Sequence, residues 1–372
     1  MKTRRILFFV AAVALSIPML SCNSTSEQSS SKPSAVIGDT TGVTDTEIKL
    51  GTLMPLSGSA AAAWGIEISK GMQAYFDYIN TQGGMYGRKI DLIVGDSQYS
   101  GPVATEVVRT LVEQDGVFAL IGNLGTEPEA AVYGYLEDRG IPDMFALSGS
   151  SELTNPAGKN RFTTMVDYTM EGRIFATYLY KNYDGKKLGI LAQNDDYGRE
   201  GEQGTRQGLK ELGARMDVTT EFYDAAQSDV TAQVERLKAA GVEVIMFWGS
   251  PVQAANMMKA ARQTLSWDAP ILVNEANALD ITAQLAGYDS IDGVISTTVA
   301  HQAWETNIPG VASRKAIMAQ VALDLLFDNS TLIGYELGES IVGLFKQAGK
   351  NLTRQSYSGL HLHEPVYPCA CL

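Results

Sequence analysis

Cysteine and histidine are scarce in this chain, and the common motifs of catalysis and nucleotide binding are absent. The 372 residues include three cysteines and three histidines. There is no G-x-S-x-G nucleophile elbow, no H-E-x-x-H metal helix, no P-loop and no dinucleotide-binding G-x-G-x-x-G. The sequence therefore lacks the signatures of the best-known hydrolases, metalloproteases and nucleotide-binding proteins. With so few cysteines, packing and not a disulfide framework has to stabilise the fold.

Positive charge is also in short supply. Lys and Arg number 29 against 42 Asp and Glu, which gives a formal net charge of -13. This balance argues against nucleic acid or anionic lipid as a binding partner. The chain is 45% hydrophobic and 19% charged, an ordinary globular composition, and it is long enough for two domains with cores of their own.

No hydrophobic run is long enough for an ordinary membrane span. The longest, Ile6–Leu20, has fifteen residues and follows a basic N-terminus, which is typical of a secretory signal peptide. The segment ends in MLSC, which resembles a bacterial lipobox. We expect residues 1–22 to be a lipoprotein signal with lipid on Cys22; the alternative is a plain signal peptide with an incidental cysteine. Residues 23–45, which begin with a stretch rich in Ser, Thr and Gln, are expected to form a flexible tether outside the cytoplasmic membrane.

The stretch from Leu50 to Gly84 establishes the plan of the fold. Its apolar run Leu50–Leu56 predicts a buried strand, and a Gly/Ser turn follows. The next apolar side chains recur at spacings of three and four, which predicts a helix with one face on a sheet: Met72, Tyr75, Phe76 and Ile79. Strand, small-residue loop and helix together form the first half of a βαβ unit.

Further strand-like runs, each followed by a helical pattern, repeat this unit. They are Lys89–Asp96, Val117–Gly122, Ile141–Leu147, Lys187–Gln193, Met216–Tyr223, Val242–Trp248, Ile271–Asn274 and Val294–Val299. Helical crossovers between strands produce parallel sheets. The sequence therefore predicts an α/β fold of two Rossmann-like lobes with parallel sheets. No Gly/Pro/Ser linker marks the border between the lobes.

The ends of the predicted strands supply the candidate site, because open parallel sheets bind ligands at their carboxyl edge. The residues there are Ser57, Trp64, Asn123–Thr126, Ser148–Ser150, Asn194–Tyr197, Trp248–Ser250 and Glu275. Hydroxyls and helix N-termini suit an anion, a buried glutamate suits an ammonium group, and aromatic walls suit an apolar body. The set predicts a pocket for a small zwitterion, although each residue alone could be ordinary turn chemistry.

An ordered set of segments carries a family resemblance: PLSGSAAAAWG, YINTQGG, IDLIVGDSQ, ALIGNLGTEP, IPDMFALSGSSELT and LAQNDDYGREG. Over residues 46–350 the chain resembles the type I periplasmic binding proteins, most closely the branch that serves branched-chain amino-acid ABC importers. The resemblance implies lobe one at 46–162 plus 301–350 and lobe two at 163–300. It also implies a hinge of three crossovers, near Phe162–Val166, near Thr297–His301 and beyond Gly349. Residues 351–372 depart from the family pattern and are expected to form an atypical tail.

The resemblance also implies roles for individual residues at both ends of a bound amino acid. Thr126 stands where the family binds the ligand carboxylate with a hydroxyl. Leu147 stands where a backbone group is used, and Gly149 where the family has a further hydroxyl, which Ser148 or Ser150 could replace. Trp64 and Tyr197 stand at wall aromatics, Glu275 at the carboxylate that holds the ammonium, and Ser250 in place of an assisting aromatic.

The expected function is therefore capture of a small amino acid or related solute and its delivery to an ABC permease. The resemblance implies no catalysis and no cofactor, and we expect a monomer in the periplasm or another extracytoplasmic space. Two alternatives stay open: a sensor of the same fold that signals to a receptor, and an exported hydrolase or lyase with Glu275 or Asp195–Asp196 as base. His361, His363, Cys369 and Cys371 have metal-like spacing, but Pro365 and Pro368 among them favour an unstructured end without metal.

Overall fold

A computed structural model describes residues 38–59, 61–154 and 160–358. The predicted signal peptide 1–22, the lipidation site Cys22, residues 23–37 of the tether and residues 359–372 of the tail lie outside the described residues. Among the described helices, none is long and apolar enough to cross a membrane.

The first sheet is parallel and has the strand order β2-β1-β3-β4-β5. Its strands are β1 Glu47–Met54, β2 Lys89–Asp96, β3 Ala119–Ile121, β4 Asp143–Ala146 and β5 Arg161–Thr163. The connecting helices are α1 Ala62–Thr81, α2 Gly101–Glu113, α3 Thr126–Asp138 and the single turn α4 Ser151–Thr154. Of the stripe predicted for α1, Met72 and Phe76 are fully buried, Tyr75 is buried, and Ile79 packs partly buried against the same core.

The second sheet is also parallel, with the order β10-β9-β8-β6-β7. Its strands are β6 Lys187–Gln193, β7 Asp217–Tyr223, β8 Val244–Trp248, β9 Ile271–Val273 and β10 Ile295–Ser296. Its helices are α5 Tyr168–Tyr183, α6 Asp196–Glu211, α7 Thr231–Ala239, α8 Pro251–Lys259, α9 Asp280–Ala286 and α10 Tyr288–Ile291. Every residue of β8 is buried, as expected for a central strand covered by helices on both faces.

The last described helices are α11 Pro309–Val321, α12 Asn329–Ala348 and α13 Arg354–Ser358. Helix α12 packs tightly on α1 of the first sheet. A Cβ atom on Gly71 would lie 2.1 Å from the carbonyl oxygen of Thr331, and one on Gly334 would lie 1.9 Å from that of Ile68. The two glycines therefore allow the backbones of the two helices to touch.

The predicted limits differ from the structure at several places. The limit between residues 162 and 163 passes through β5, which pairs with β4 in the first sheet. The predicted strand Val294–Val299 is reduced to the two residues of β10, and the loop after β4 contains α4. The division into lobes stays a prediction.

Residues outside the predicted lobes are joined to the first sheet. Arg354 donates hydrogen bonds to the carbonyl oxygens of Phe118 (2.9 Å) and Val117 (2.7 Å) and pairs with Asp39 at 2.7 Å. Tyr357 of α13 is fully buried. Residues 351–358 of the predicted tail and Asp39 of the predicted tether are thus part of the packed structure.

Candidate functional site

A cavity of about 120 Å³ lies between the two sheets. Its walls come from the start of α1, the segment after β4, the segment after β9, residues 298–302 after β10, and α12. Most of the lining is apolar, including Trp64, Leu147, Leu279, Leu332 and Leu337. The cavity therefore lies where the carboxyl-edge rule for parallel sheets predicts a ligand.

Glu275 brings a buried carboxylate to this cavity. It follows β9 and is 8% exposed, and its Oε1 atom has no hydrogen-bond partner among the described residues. Burial, assisted by the nearby charge of Glu171, raises the pKa of Glu275 to about 8. An unpartnered carboxylate in an apolar cavity is unfavourable unless a cation or proton compensates it.

Glu171, on α5, lies directly behind Glu275. Its Oε1 atom accepts hydrogen bonds from the backbone N–H of Glu275 (2.7 Å) and from the hydroxyl of Thr297 (2.6 Å). Its Oε2 atom has no hydrogen-bond partner among the described residues, and burial raises the pKa of Glu171 although the two hydrogen bonds act to lower it. The pair places two carboxyl groups side by side in the interior, which favours a cation nearby.

Two further ionisable groups line the cavity, Glu336 of α12 and His301. Glu336 Oε1 lies 3.4 Å from Nη1 of Arg314, yet burial raises the pKa of Glu336 to about 7. His301 Nδ1 lies 3.5 Å from a carboxylate oxygen of Glu305. Within the described lining no lysine or arginine is present, so the ionisable groups at the cavity are the two carboxyl groups and His301.

The predicted carboxylate-binding hydroxyls come together but do not line the cavity. Thr126 Oγ1 lies 2.8 Å from Ser148 Oγ and 3.3 Å from the hydroxyl of Tyr168. All three residues are buried. We call Thr126, Ser148 and Tyr168 the hydroxyl corner. Its members bond to one another, and the ring of Tyr168 fills the space beside them.

Gly149 and Ser150 are explained by local packing. A Cβ atom on Gly149 would lie 2.0 Å from the carbonyl oxygen of Val166 and 2.9 Å from the ring of Tyr168, so no side chain fits there. Ser150 Oγ donates to Glu200 of α6 at 3.3 Å. Ser148 and Ser150 could each supply the hydroxyl expected near Gly149. Both bond to other protein side chains, and neither lines the cavity.

Tyr197 and Ser250 are buried away from the cavity wall. The hydroxyl of Tyr197 donates to the carbonyl oxygen of Gly249 (3.0 Å) and accepts from Asn274 (2.6 Å). The Tyr197 ring packs against Tyr168 with centroids 4.8 Å apart. Ser250 Oγ donates to Gln193 Oε1 at 3.3 Å. These hydrogen bonds connect residues at or just after the carboxyl ends of β6, β8 and β9.

Three of the predicted site residues thus meet at the cavity: Trp64, Leu147 and Glu275. Trp64 also has a buried indole N–H with no partner among the described residues. Sequence reasoning missed Glu171, Glu336, His301 and the filling role of Tyr168. An acidic residue in the first turn of α5, after the predicted crossover, was the available signal for Glu171.

The alternative base Asp195 has a structural role. It caps α6, accepting a hydrogen bond from the Gly198 N–H (3.3 Å), and its other oxygen accepts from Gln193 Nε2 (2.6 Å). The described residues also hold no group of three His, Cys, Asp or Glu side chains placed to bind a metal. The metal-like His361, His363, Cys369 and Cys371 lie outside the described residues.

The family model for periplasmic binding proteins matches residues 47–358. The chain belongs to the periplasmic binding protein family. The resemblance noted in the sequence is thereby confirmed, and so is the fold of two parallel-sheet α/β sets.

Curated relatives of this periplasmic binding protein are distant in sequence. It is 26% identical over 254 residues to "Leu/Ile/Val-binding protein homolog 1" of Brucella abortus (strain 2308), covering 68% of this chain and 66% of that protein. The alignment thus spans just under two thirds of that relative's length. It is 25% identical over 322 residues to an "Amino acid binding protein" of Pseudomonas aeruginosa, covering 85% and 83% of the two chains.

Solved structures agree on the fold. The periplasmic binding protein superposes with a TM-score of 0.78 on a fatty acid ABC transporter substrate-binding protein from Thermomonospora curvata, at 24% identity, covering 88% of this chain and 82% of the other. It superposes with a TM-score of 0.75 on a branched chain amino acid ABC transporter from Thermus thermophilus with bound valine, at 18% identity, covering 85% and 82%.

Proposed function

We propose that this protein is the extracytoplasmic solute-binding component of an ABC importer and that it encloses a small ammonium-bearing solute between its two sheets. The observation that carries the proposal is Glu275. This residue lines a cavity whose walls come from both sheets, and its buried Oε1 atom has no hydrogen-bond partner among the described residues. Closure of two lobes around a ligand is stabilised by the contacts that the ligand makes with both.

The comparisons support the transport role. Relatives with amino-acid-binding names and structural neighbours that serve ABC transporters share this fold. A permease in the membrane would be the partner, with the protein acting as a monomer anchored through lipid on Cys22. Trp64, Leu147 and Glu275 would contact the solute, and amino acids are the first ligand class to test.

The same observation favours binding over catalysis. Among the described residues, no nucleophile is hydrogen-bonded to Glu275 Oε1, and Asp195 is occupied as a helix cap. A nucleophilic or general-base mechanism needs such a pair within hydrogen-bond reach. A sensor of the same fold would use the same cavity. The partner protein would distinguish the two roles, since a transporter component binds a permease and a sensor binds a receptor.

The test is a thermal-shift screen of the purified full chain against amino acids, amines, carboxylic acids, small amides and purines. A solute at a hundred times its Kd adds about 2.7 kcal/mol to stability, which is visible as a higher Tm. We expect shifts from ammonium-bearing solutes that disappear in Glu275→Gln and persist in Glu235→Gln, an exposed control on α7. Shifts from ammonium-free solutes alone, or shifts unchanged in Glu275→Gln, would contradict the proposal.

A further inference from the structure

We propose that the solute is an amine: a molecule with an ammonium group on an apolar body and no carboxylate beside that group. The inference rests on the proposed function and narrows its ligand class. It depends on which half of an amino acid the interior can bind. The ammonium half has a site at the cavity, and the carboxylate half does not.

The ammonium half is provided by Glu275. Glu275 is more than nine-tenths buried and lines the cavity, and its Oε1 atom has no hydrogen-bond partner among the described residues. Glu336 adds a second carboxyl group to the lining. A protonated amine placed here would receive a charge-assisted hydrogen bond in a low-dielectric setting, where such bonds are strongest.

The carboxylate half is missing because the hydroxyl corner is filled. Thr126 and Ser148, which could bind a carboxylate, bond to each other at 2.8 Å. Tyr168 bonds to Thr126 and covers Gly149, whose Cβ position lies 2.9 Å from the tyrosine ring. None of these four residues lines the cavity.

Among the described lining residues, no lysine or arginine would neutralise a carboxylate, and the unpartnered indole N–H of Trp64 is an uncharged donor. His301 is the one basic side chain in the described lining, and it lies 3.5 Å from a carboxylate oxygen of Glu305. Arg314 lies behind Glu336 and donates to Glu339 at 2.8 and 2.9 Å. A zwitterion would therefore bring its anionic end into an acidic and apolar cavity, and desolvation of that end would oppose binding.

The remaining walls suit an aliphatic body. Trp64, Leu279, Leu332 and Leu337 surround the carboxyl groups with apolar surface. A tryptophan beside a cation also adds a favourable interaction of the aromatic ring with the charge. A compact branched or linear alkylamine combines the two features that the lining offers.

Three compounds that differ by one group test the inference by isothermal titration calorimetry on the full chain. They are leucine, 3-methylbutylamine, which is leucine without its carboxylate, and 4-methylpentanoate, which is leucine without its ammonium group. We expect the amine to bind at least tenfold more tightly than the other two. We expect its affinity to rise by up to tenfold per pH unit toward pH 8, because the ionised form of Glu275 binds it.

Other titratable groups near Glu275 have to be considered when this pH series is interpreted. Glu171 lies behind Glu275, Tyr168 nearby stays protonated because burial raises its pKa, and Glu336 and His301 share the cavity. Glu275→Gln should abolish the rise of affinity with pH, whereas Glu235→Gln on the exposed face of α7 should keep it. Melting curves of both variants verify that they fold.

Results that contradict the inference alone can be distinguished from those that also contradict the proposed function. Tighter binding of leucine than of the amine would overturn the inference and leave the proposed function in place. Tighter binding of 4-methylpentanoate, weakening as pH rises, would show that protonated Glu275 donates to a carboxylate and would overturn the inference. Failure of all three compounds to bind a cooperatively melting protein would overturn the ammonium recognition on which both proposals rest.

Discussion

Glu171 fixes the backbone of Glu275 and at the same time opposes the charge on its side chain. The Glu275 N–H donates to Glu171 Oε1 at 2.7 Å, and the charge of Glu171 is the second cause, after burial, of the raised pKa of Glu275. A residue outside the cavity lining thus contributes to the raised pKa of a carboxyl group whose residue lines the cavity.

The first prediction is that Glu171→Gln changes the pH profile of binding. The amide retains an oxygen that can accept from the Glu275 N–H but removes the negative charge. The pKa of Glu275 should then fall from about 8 toward its usual range. The pH at which the affinity for 3-methylbutylamine levels off should move to lower values, as measured by calorimetry between pH 5.5 and 9.

Glu235→Gln is the matched control for this experiment, since it also removes one carboxylate but from an exposed position. Its pH profile should equal that of the unmodified chain. An unchanged profile in Glu171→Gln as well would mean that Glu171 is only a structural acceptor and that burial alone sets the pKa of Glu275.

The second prediction concerns the hydroxyl corner. Tyr168→Ser should empty the space beside Thr126 and Ser148 and free their hydroxyls for a carboxylate. We expect leucine binding to improve at least tenfold relative to the unmodified chain. Tyr168→Phe is the matched control, because it retains the ring on Gly149 and should leave leucine binding weak.

Both tyrosine variants need a stability measurement. Loss of the buried ring should cost about 3–5 kcal/mol in Tyr168→Ser, and loss of the hydroxyl about 1 kcal/mol in Tyr168→Phe. Chemical denaturation measures both values. If Tyr168→Ser folds and leucine binding does not improve, the filled corner is not what excludes the carboxylate.

Sequence patterns predicted the repetitive part of the fold well. The bounds of β2 and β6 coincide with the prediction, because each combines a run of one periodicity with clear breakers at its ends. The end of the second sheet was harder. The stretch at 294–299 is rich in β-branched residues and resembles a strand, but only two of its residues pair with β9.

Position in the fold alone brings three of the predicted site residues to the cavity, and their roles stay a prediction. Trp64, Leu147 and Glu275 reach the cavity because they follow strand ends or begin the first helix. Thr126 and Ser148 also follow strand ends, but their hydroxyls bond to each other and to Tyr168. Whether these hydroxyls are available to a ligand depends on Tyr168, which belongs to another element. Local sequence patterns do not predict that contact.

The third prediction concerns a buried carboxyl pair in the first sheet. Glu129 of α3 is fully buried beside Asp143 of β4, and burial together with the charge of Asp143 raises its pKa well above the usual value. A raised folded-state pKa means that stability is full below the unfolded pKa of about 4.3 and declines as pH rises from there toward the folded pKa. Glu129→Gln should remove this decline.

Urea denaturation at pH 5 and pH 8 measures the effect. The difference in unfolding free energy between Glu129→Gln and the unmodified chain should shift in favour of the variant at pH 8. Glu137→Gln, exposed on the same helix, is the control and should show the same pH dependence as the unmodified chain. A parallel decline in all three proteins would indicate that Glu129 is not the group responsible.

The fourth prediction tests whether α12 is fastened to α1 through glycine. Gly334→Ala places a methyl group 1.9 Å from the carbonyl oxygen of Ile68, and backbone atoms cannot move aside as a flexible side chain can. Overpacking of this kind costs about 1–3 kcal/mol or more. Gly134→Ala on α3 is the matched control, since nothing lies within 4 Å of its Cβ position.

The two alanines should act in opposite directions. In Gly134→Ala the better helix propensity of alanine should stabilise the protein by up to about 1 kcal/mol, whereas in Gly334→Ala the steric clash should exceed that gain. Chemical denaturation compares both with the unmodified chain. Because α12 also supplies Leu332, Glu336 and Leu337 to the cavity, Gly334→Ala should weaken solute binding as well. Stabilisation by both alanines would show that α12 does not pack on α1 through Gly334.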